Sequence, residues 1–180
     1  MLKGYVKGLG TMQTIGDNGE ISLENVLHNR MDLNWFINDH FTVSAGLRNR
    51  VIIGNNVSLI PGYSDYVSRD NGFLDLSWRW ADENSWVGIS QLDRLMIDYT
   101  VGNFQVTLGR QRINWGQTFV WNPNDLFNAY SLFDVDYPER PGTDALLVEY
   151  YPSPTSDAQL VWNAGNSVDS MAIAGLYYAG

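Results

Sequence analysis

The residues best suited to chemistry in this sequence are ionisable side chains that recur at every second position. His28, Arg30 and Asp32 alternate with apolar or amide residues, and Arg48 and Arg50 repeat the spacing. Side chains two residues apart on a β-strand project from the same face, so this spacing predicts a charged ladder. In water, such a ladder could bind or guide anionic or polar solutes. The alternative is a network of mutually neutralising pairs that only supports the fold.

Later segments extend the ladder with the same period. Arg94 and Asp98 are separated by Met96, and Glu149 lies between apolar positions of another alternating segment. We therefore predict that the face presented to solutes consists of His28, Arg30, Asp32, Arg48, Arg50, Arg94, Asp98 and Glu149.

Catalytic alternatives lack the required groups. The chain has no cysteine, and His28 and His40 are its only histidines. It contains no HExxH or GxSxG motif, no P-loop and no dinucleotide fingerprint. We predict no catalytic residue, no metal site and no cofactor.

The amino-acid composition excludes further classes of protein. Mean hydropathy is -0.22, and no apolar run approaches the roughly 20 residues of a membrane helix, which excludes a helical membrane protein. The 17 Gly, 7 Trp and 10 Tyr favour strands and turns. A net charge of -9 argues against a nucleic-acid partner, because phosphate contacts need an excess of Lys and Arg.

Three long hairpins position the ladder. Alternating residues flank the turn Asn38–Asp39, the "VGN" turn at 101–103 and "PSPTSD" at 152–157. The arms of the first hairpin run about 11 to 14 residues, longer than the usual 5 or 6 of a globular strand and close to the roughly 9 to 11 that span a bilayer at a tilt. A soluble β-sandwich would also alternate, but it would bury the apolar face.

The connections differ in length at the two ends of these strands. Short turns alternate with long connections over 55–90 and 113–142, a pattern typical of outer-membrane β-barrels. We expect 55–90 to carry a short hairpin or platform, with the spanning strand starting near Gln91. Residues 1–180 are thus interpreted as one all-β domain, an antiparallel up-and-down transmembrane β-barrel. We expect it to be a fragment of a longer barrel, because no leader precedes Met1 and "SMAIAGLYYAG" resembles a strand that lacks a closing partner.

The stretch "GRQRINWGQTFVWNPNDLFN" at 109–128 is expected to leave a strand and fold inward as a constriction or latch. Its candidate residues are Arg110, Arg112, Trp115, Trp121, Asn122, Asn124 and Asp125. Continuing the alternation of Leu108 would point both arginines at lipid, at a midplane cost of roughly 2 to 4 kcal/mol. Either the strand has left the hydrocarbon layer by Arg110, or a bulge near Gly109 turns both arginines inward.

The segment 92–151 resembles a family of porin-like outer-membrane barrel proteins of Bacteroidota. The resemblance rests on "GRQRINWG" at 109–116, "WNPNDLFN" at 121–128 and "DYPERPGTDA" at 136–145, while the hairpin at 27–54 fits more loosely. It implies a bacterial outer-membrane location, a long β-barrel, and the lipid bilayer and small polar solutes as partners.

Three functions remain open at the level of the sequence. The leading hypothesis is a porin-like channel that passes polar or anionic solutes by diffusion. The alternative is a non-conducting structural or interaction barrel that binds a polysaccharide or a protein. A third interpretation is a soluble all-β binding domain. Nothing in the sequence predicts the oligomeric state.

Overall fold

The computed structural model describes residues 1–15, 19–70, 72–113, 115, 142–164 and 172–179. Within these ranges the chain forms one antiparallel sheet with two short helices. The strands are β1 (Leu2–Ile15), β2 (Glu20–Phe36), β3 (Phe41–Gly54), β4 (Ser77–Glu83), β5 (Trp86–Val101), β6 (Phe104–Gln111), β7 (Thr143–Ser153), β8 (Ser156–Asn163) and β9 (Ala172–Ala179), and the helices are α1 (Asn56–Leu59) and α2 (Tyr63–Ser68).

The strand order is β1-β2-β3-β5-β6-β7-β8-β9, and β4 pairs with β5 outside this path. β4 covers residues 86–91 of β5 and β6 covers residues 95–101, so the two strands follow one another along the same side of β5. The predicted all-β antiparallel fold is confirmed. Closure into a barrel is not observed, because β1 and β9 occupy opposite edges of the sheet in the described residues.

Short turns join the strands at one end of the sheet, here called the turn end. Hydrogen bonds from Thr100 N to the His40 carbonyl and from Tyr151 N to the Asn103 carbonyl, both 2.9 Å, link neighbouring turns there. The 55–76 connection lies at the opposite end, the loop end, where Gly54 N donates to the Ser85 carbonyl at 2.8 Å. The expected platform therefore consists of α1, α2 and the β4 hairpin, and β5 begins at Trp86 rather than near Gln91.

The two faces of the sheet differ in chemistry. One, the polar face, carries the ladder positions of β2, β3, β5 and β7, and several of its charged residues are buried: Arg30 is 3% exposed and Arg48 4%. The other, the apolar face, exposes large hydrophobic side chains, among them Leu27, Met31, Leu33, Trp35, Leu95, Ile97, Leu108, Leu160 and Trp162. This distribution is the reverse of that in a soluble domain.

A row of polar side chains crosses the apolar face toward the loop end. Asn49 Nδ2 donates to Asn29 Oδ1 at 3.1 Å, and Ser90 Oγ donates to Asn49 Oδ1 at 2.6 Å. The part of the apolar face between this row and the aromatic residues at the turn end is called the apolar band. There the rings of Phe41 and Tyr99 lie 4.6 Å apart between centroids.

At the loop end the polar face is covered by the two helices. Val57, Tyr63 and Val67 pack on a buried cluster formed by Val26, Ile52, Val87 and Ile89. These cluster residues occupy polar-face positions in the register, which explains why the charged alternation stops there. Within the described ranges, no helix is long and apolar enough to cross a membrane.

Candidate functional site

The register brings the predicted ladder residues onto the polar face. His28 lies opposite Arg50, and Arg30 lies opposite Arg48. One position further toward the turn end on this face, Gly46 lies between Asp32 and Arg94. Asp98 and Glu149 lie still closer to the turn end on β5 and β7.

Part of the ladder forms a compact charge network, the polar-face network. Arg30 Nε donates to both carboxylate oxygens of Asp32, at 2.9 and 3.0 Å, and Arg30 Nη1 donates to Asp93 Oδ2 at 2.6 Å. Arg94 Nη1 donates to the Asp93 carbonyl at 2.7 Å and lies 3.8 Å from its Oδ2. These pairs are of the neutralising kind, and because Arg30 and Asp93 are both buried, each would be left as an uncompensated charge without the other.

Asp93 is the central carboxylate of this network, and the sequence pattern did not identify it. By simple alternation it would share the apolar face with Leu95. The pairing of β3 with β5 instead passes from Gly46↔Arg94 to Leu47↔Leu92, so Asp93 is the extra residue of a β-bulge. It is 4% exposed and bonded to Arg30. The sequence feature that could have indicated the bulge is a charged residue, Asp93, at a position where the alternation predicts an apolar one.

Gly46 provides the space for the polar-face network. A Cβ atom there would lie 3.0 Å from Asp32 Oδ1 and from Asp93 Oδ1, and 3.1 Å from Arg30 Nη2. These contacts are tighter than those of most real Cβ atoms, so a larger residue would require the ion-paired side chains to shift by a few tenths of an ångström.

His28 and Arg50 lie away from this network. Arg50 Nη2 donates to the Val67 carbonyl at 2.6 Å, which ties the end of α2 to the sheet. His28 is fully buried, and its ring centroid lies 5.7 Å from that of Tyr5 on β1. Both residues therefore contact the scaffold at the covered end of the polar face.

A cavity of about 340 Å³ opens on the polar face over β5 to β8. Its lining includes predicted ladder residues together with one residue of the predicted latch. The lining residues are Arg94, Met96, Asp98, Gln105, Thr107, Gln111, Arg112, Ile113, Leu147, Glu149 and Gln159.

The carboxylates of the cavity are held by neighbouring strands. Thr107 Oγ1 donates to Asp98 Oδ1 at 2.6 Å, and Gln159 Nε2 donates to Glu149 Oε1 at 2.9 Å. Trp115 Nε1 donates to Gln159 Oε1 at 2.5 Å, so the segment after β6 contacts the same amide. Acceptor capacity remains at both carboxylates for a solute, since each has two oxygens.

The segment that follows β6 crosses the polar face as far as it is described. Ile113 and Trp115 are buried in a second apolar cluster with Ala145, Leu147 and Val161. Of the predicted latch residues, Trp115 therefore lies on the polar face, and its role as a latch stays a prediction. The latch candidates Trp121, Asn122, Asn124 and Asp125 lie outside the described residues.

Arg110 forms a separate cluster, the arginine node. Its Nε and Nη2 donate to the two oxygens of Asp144 at 2.9 and 2.8 Å, and Nη1 donates to Asp70 Oδ2 at 2.5 Å. Nη2 also donates to the Leu74 carbonyl at 2.6 Å and Nη1 to the Leu92 carbonyl at 3.2 Å. The node joins β6 and β7 to Asp70 and Leu74, which precede β4.

The expected bulge near Gly109 is not present in the register. Leu108 pairs with Leu146 and Arg110 with Asp144 without a shift, although Gly109 has a φ of 121°. Arg110 therefore has the same parity as Leu108 in the register, and its charge is neutralised by the carboxylates of Asp144 and Asp70. Arg112, beyond the end of β6, is exposed and lines the cavity.

Metal-binding geometry is not found in the part of the chain that the structure describes, where no group of three or more His, Asp or Glu side chains converges. Comparisons of the chain with models of known protein families, with curated proteins and with solved structures give no match. The interpretation of the site therefore depends on its geometry and chemistry.

Proposed function

We propose that this chain contributes to a porin-like β-barrel of the bacterial outer membrane, whose polar face lines an aqueous path for polar or anionic solutes. The observation that carries this proposal is the reversed distribution of the two faces. Arg30, Arg48 and Asp93 are buried on the polar face, while the opposite face exposes leucine, isoleucine and tryptophan side chains.

Physical chemistry favours lipid as the partner of the apolar face. Apolar surface buried away from water contributes roughly 25 cal/mol per Å², and soluble monomers rarely leave apolar patches beyond a few hundred Å² uncovered. The apolar face extends over neighbouring strands from β2 to β8, with exposed side chains on each spanning strand. A bilayer would cover such a surface without a specific protein partner.

Strand lengths support the same proposal. β2 has 17 residues, β3 has 14 and β5 has 16. A tilted strand needs roughly 9 to 11 residues to cross the hydrocarbon layer, so these strands would extend beyond it at the loop end. The polar row of Asn29, Asn49 and Ser90 fits the boundary between the two parts. The proposal also requires partner strands for β1 and β9, because an open sheet edge is not tolerated in lipid.

A second candidate, a non-conducting outer-membrane barrel, is favoured by the cover over the polar face. α1 and α2 close its loop end, and Ile113 and Trp115 lie on it nearer the centre. The pairing of Arg30 with Asp32 and Asp93 is also what a purely structural network would show.

Conductance across planar lipid bilayers tests the proposal. The purified protein should partition into detergent or vesicles, insert, and give stepwise ion currents. Stable insertion with no current would favour the non-conducting barrel. A stable monomer in aqueous buffer without detergent would contradict both and leave the soluble binding domain.

A further inference from the structure

We infer that the cavity over β5 to β8 selects short zwitterionic peptides, which deepens the proposed function and rests on it. The starting observation is the order of side chains along β5 on the polar face. Arg94, Met96 and Asp98 occupy successive positions there, so a cation, an apolar group and a carboxylate follow one another along the cavity wall.

The neighbouring strands repeat this order. Toward the loop end, Arg112 follows β6 and lines the cavity on the same side as Arg94. Toward the turn end, Glu149 lies opposite Gln105, beyond Asp98 along the strand direction. Between Arg94 and Asp98 lies Met96, and Leu147 and Ile113 add apolar surface to a lining that also contains the amides of Gln105, Gln111 and Gln159. The cavity therefore has a cationic side and an acidic side, with apolar and amide groups around them.

The surroundings strengthen both charges. Arg30 and Arg48 lie near the cationic side, where arginines outnumber the carboxylates of Asp32 and Asp93. On the acidic side, Gln159 Nε2 bridges Glu149 and Asp157, at 2.9 and 3.0 Å. A solute with an amine at one end and a carboxylate at the other would be attracted in one orientation.

The separation of the charges sets the length of the solute. Arg94 and Asp98 are four positions apart, which corresponds to roughly 13 Å between their Cα atoms at about 3.3 Å per residue, and their side chains reach toward each other. A free amino acid carries both charges within one residue, whereas three extended residues span roughly 10 Å. A tripeptide therefore reaches both sides, and a single amino acid does not.

Calorimetric titration of the full detergent-solubilised protein tests this inference with three probes. They are trialanine, free alanine, and trialanine acetylated at its amine. Trialanine should bind at least about tenfold more tightly than either of the others, because each of the others lacks one of the two charge-assisted contacts; tenfold corresponds to about 1.4 kcal/mol. Equal binding of the three would overturn the inference without any variant.

Two variants then locate the amine. Asp98→Asn and Glu149→Gln should each weaken trialanine binding by about tenfold or more and leave binding of the acetylated peptide unchanged. Asp39→Asn removes the same charge from the exposed turn between β2 and β3 and should change neither. A loss equal for both peptides, or equal in Asp39→Asn, would contradict recognition of the amine.

The conductance experiment separates this inference from the proposed function. Currents without a preference for trialanine would leave the channel standing and refute the peptide site. Preferential, Asp98-dependent binding of trialanine without currents would refute the channel and leave the peptide site on a non-conducting barrel.

Discussion

Arg110 shows how one side chain can hold three parts of the chain together. Its guanidinium is 3% exposed and bonds Asp144, Asp70 and the carbonyl of Leu74. The bidentate contact with Asp144 uses the planar fork of arginine, which lysine cannot reproduce. The node therefore depends on shape as well as charge.

Replacing Arg110 should be strongly destabilising. Arg110→Met leaves Asp70 and Asp144 buried without their cation, and we expect a loss of about 3 to 5 kcal/mol in unfolding free energy. Arg110→Lys should lose less. Urea titration of vesicle-inserted protein measures the change. Arg79→Met, which removes a more exposed ion pair with Asp65, is the control and should cost about 1 kcal/mol or less. Equal losses for both would contradict the importance of the node.

Tyr63 gives a prediction on pH. Burial, and then its hydrogen bond to Glu24, raise the pKa of Tyr63 above its ordinary value of 10.0. The neutral phenol is thus favoured in the folded chain, so its contribution to stability is complete below pH 10 and is lost as the pH rises through the folded pKa. Absorbance titration should show a late-ionising component, and Tyr63→Phe should reduce its amplitude by one tyrosine. A late component of unchanged amplitude in the variant would contradict the assignment to Tyr63.

At the scale of elements, alternation predicts a strand well wherever each face keeps one kind of neighbour. The hairpin of β2 and β3 and its turn at 38–39 were predicted this way, and so were the hairpins of β5 with β6 and β7 with β8. The start of β5 at Trp86 was not predicted, because Val87 and Ile89 are apolar at polar-face positions and so interrupt the alternation. They are apolar because the α1 and α2 region covers them, a contact between segments that are distant in the sequence.

Long-range contacts also limited prediction of the candidate site. Arg94, Asp98 and Glu149 were predicted from their phase, and they line the cavity. Asp93 was missed because a bulge reverses its phase. The ion pair of Arg110 with Asp70 joins residues 40 positions apart, which no local pattern encodes.

The helical cover should depend on one buried amide. Asn56 Nδ2 donates to Glu24 Oε2 at 2.5 Å, and Asn56 Oδ1 accepts a hydrogen bond from Ser22 on β2. Asn56→Ala leaves these partners unsatisfied, at a cost of about 1 to 3 kcal/mol. Hydrogen exchange over residues 56–68 should accelerate, while β6 and β7 stay protected. Ser58→Ala, at an exposed position of α1, should change little. Equal acceleration in both variants would mean that Asn56 does not anchor the cover.

For the whole molecule, the decisive property is the depth profile of the apolar face. Exposed apolar side chains lie on both sides of the polar row of Asn29, Asn49 and Ser90, among them Leu27 and Ile53 on the loop-end side. Only about 9 to 11 residues of each strand fit within a hydrocarbon layer, which favours the apolar band on the turn-end side. If lipid covers this band, the cost of a charge must depend on its level along the strands. If water covers this face instead, the cost of introducing a charge should be small at every level along the strands.

Arginine substitutions at three positions test this profile. Leu33 lies opposite Ala45 in the middle of the apolar band, Ile53 lies beyond the polar row, and Thr42 lies opposite Asp98 on the polar face; Leu33 and Ile53 are similarly exposed, at 45% and 51%. In vesicles, Leu33→Arg should lower the unfolding free energy by about 2 to 4 kcal/mol, and Ile53→Arg by about 0 to 1 kcal/mol. Thr42→Arg should cost little, because its side chain would lie on the polar face beside a carboxylate. Similar losses at Leu33 and Ile53 would mean that depth in a bilayer does not govern this face, and the membrane assignment would then have to be abandoned.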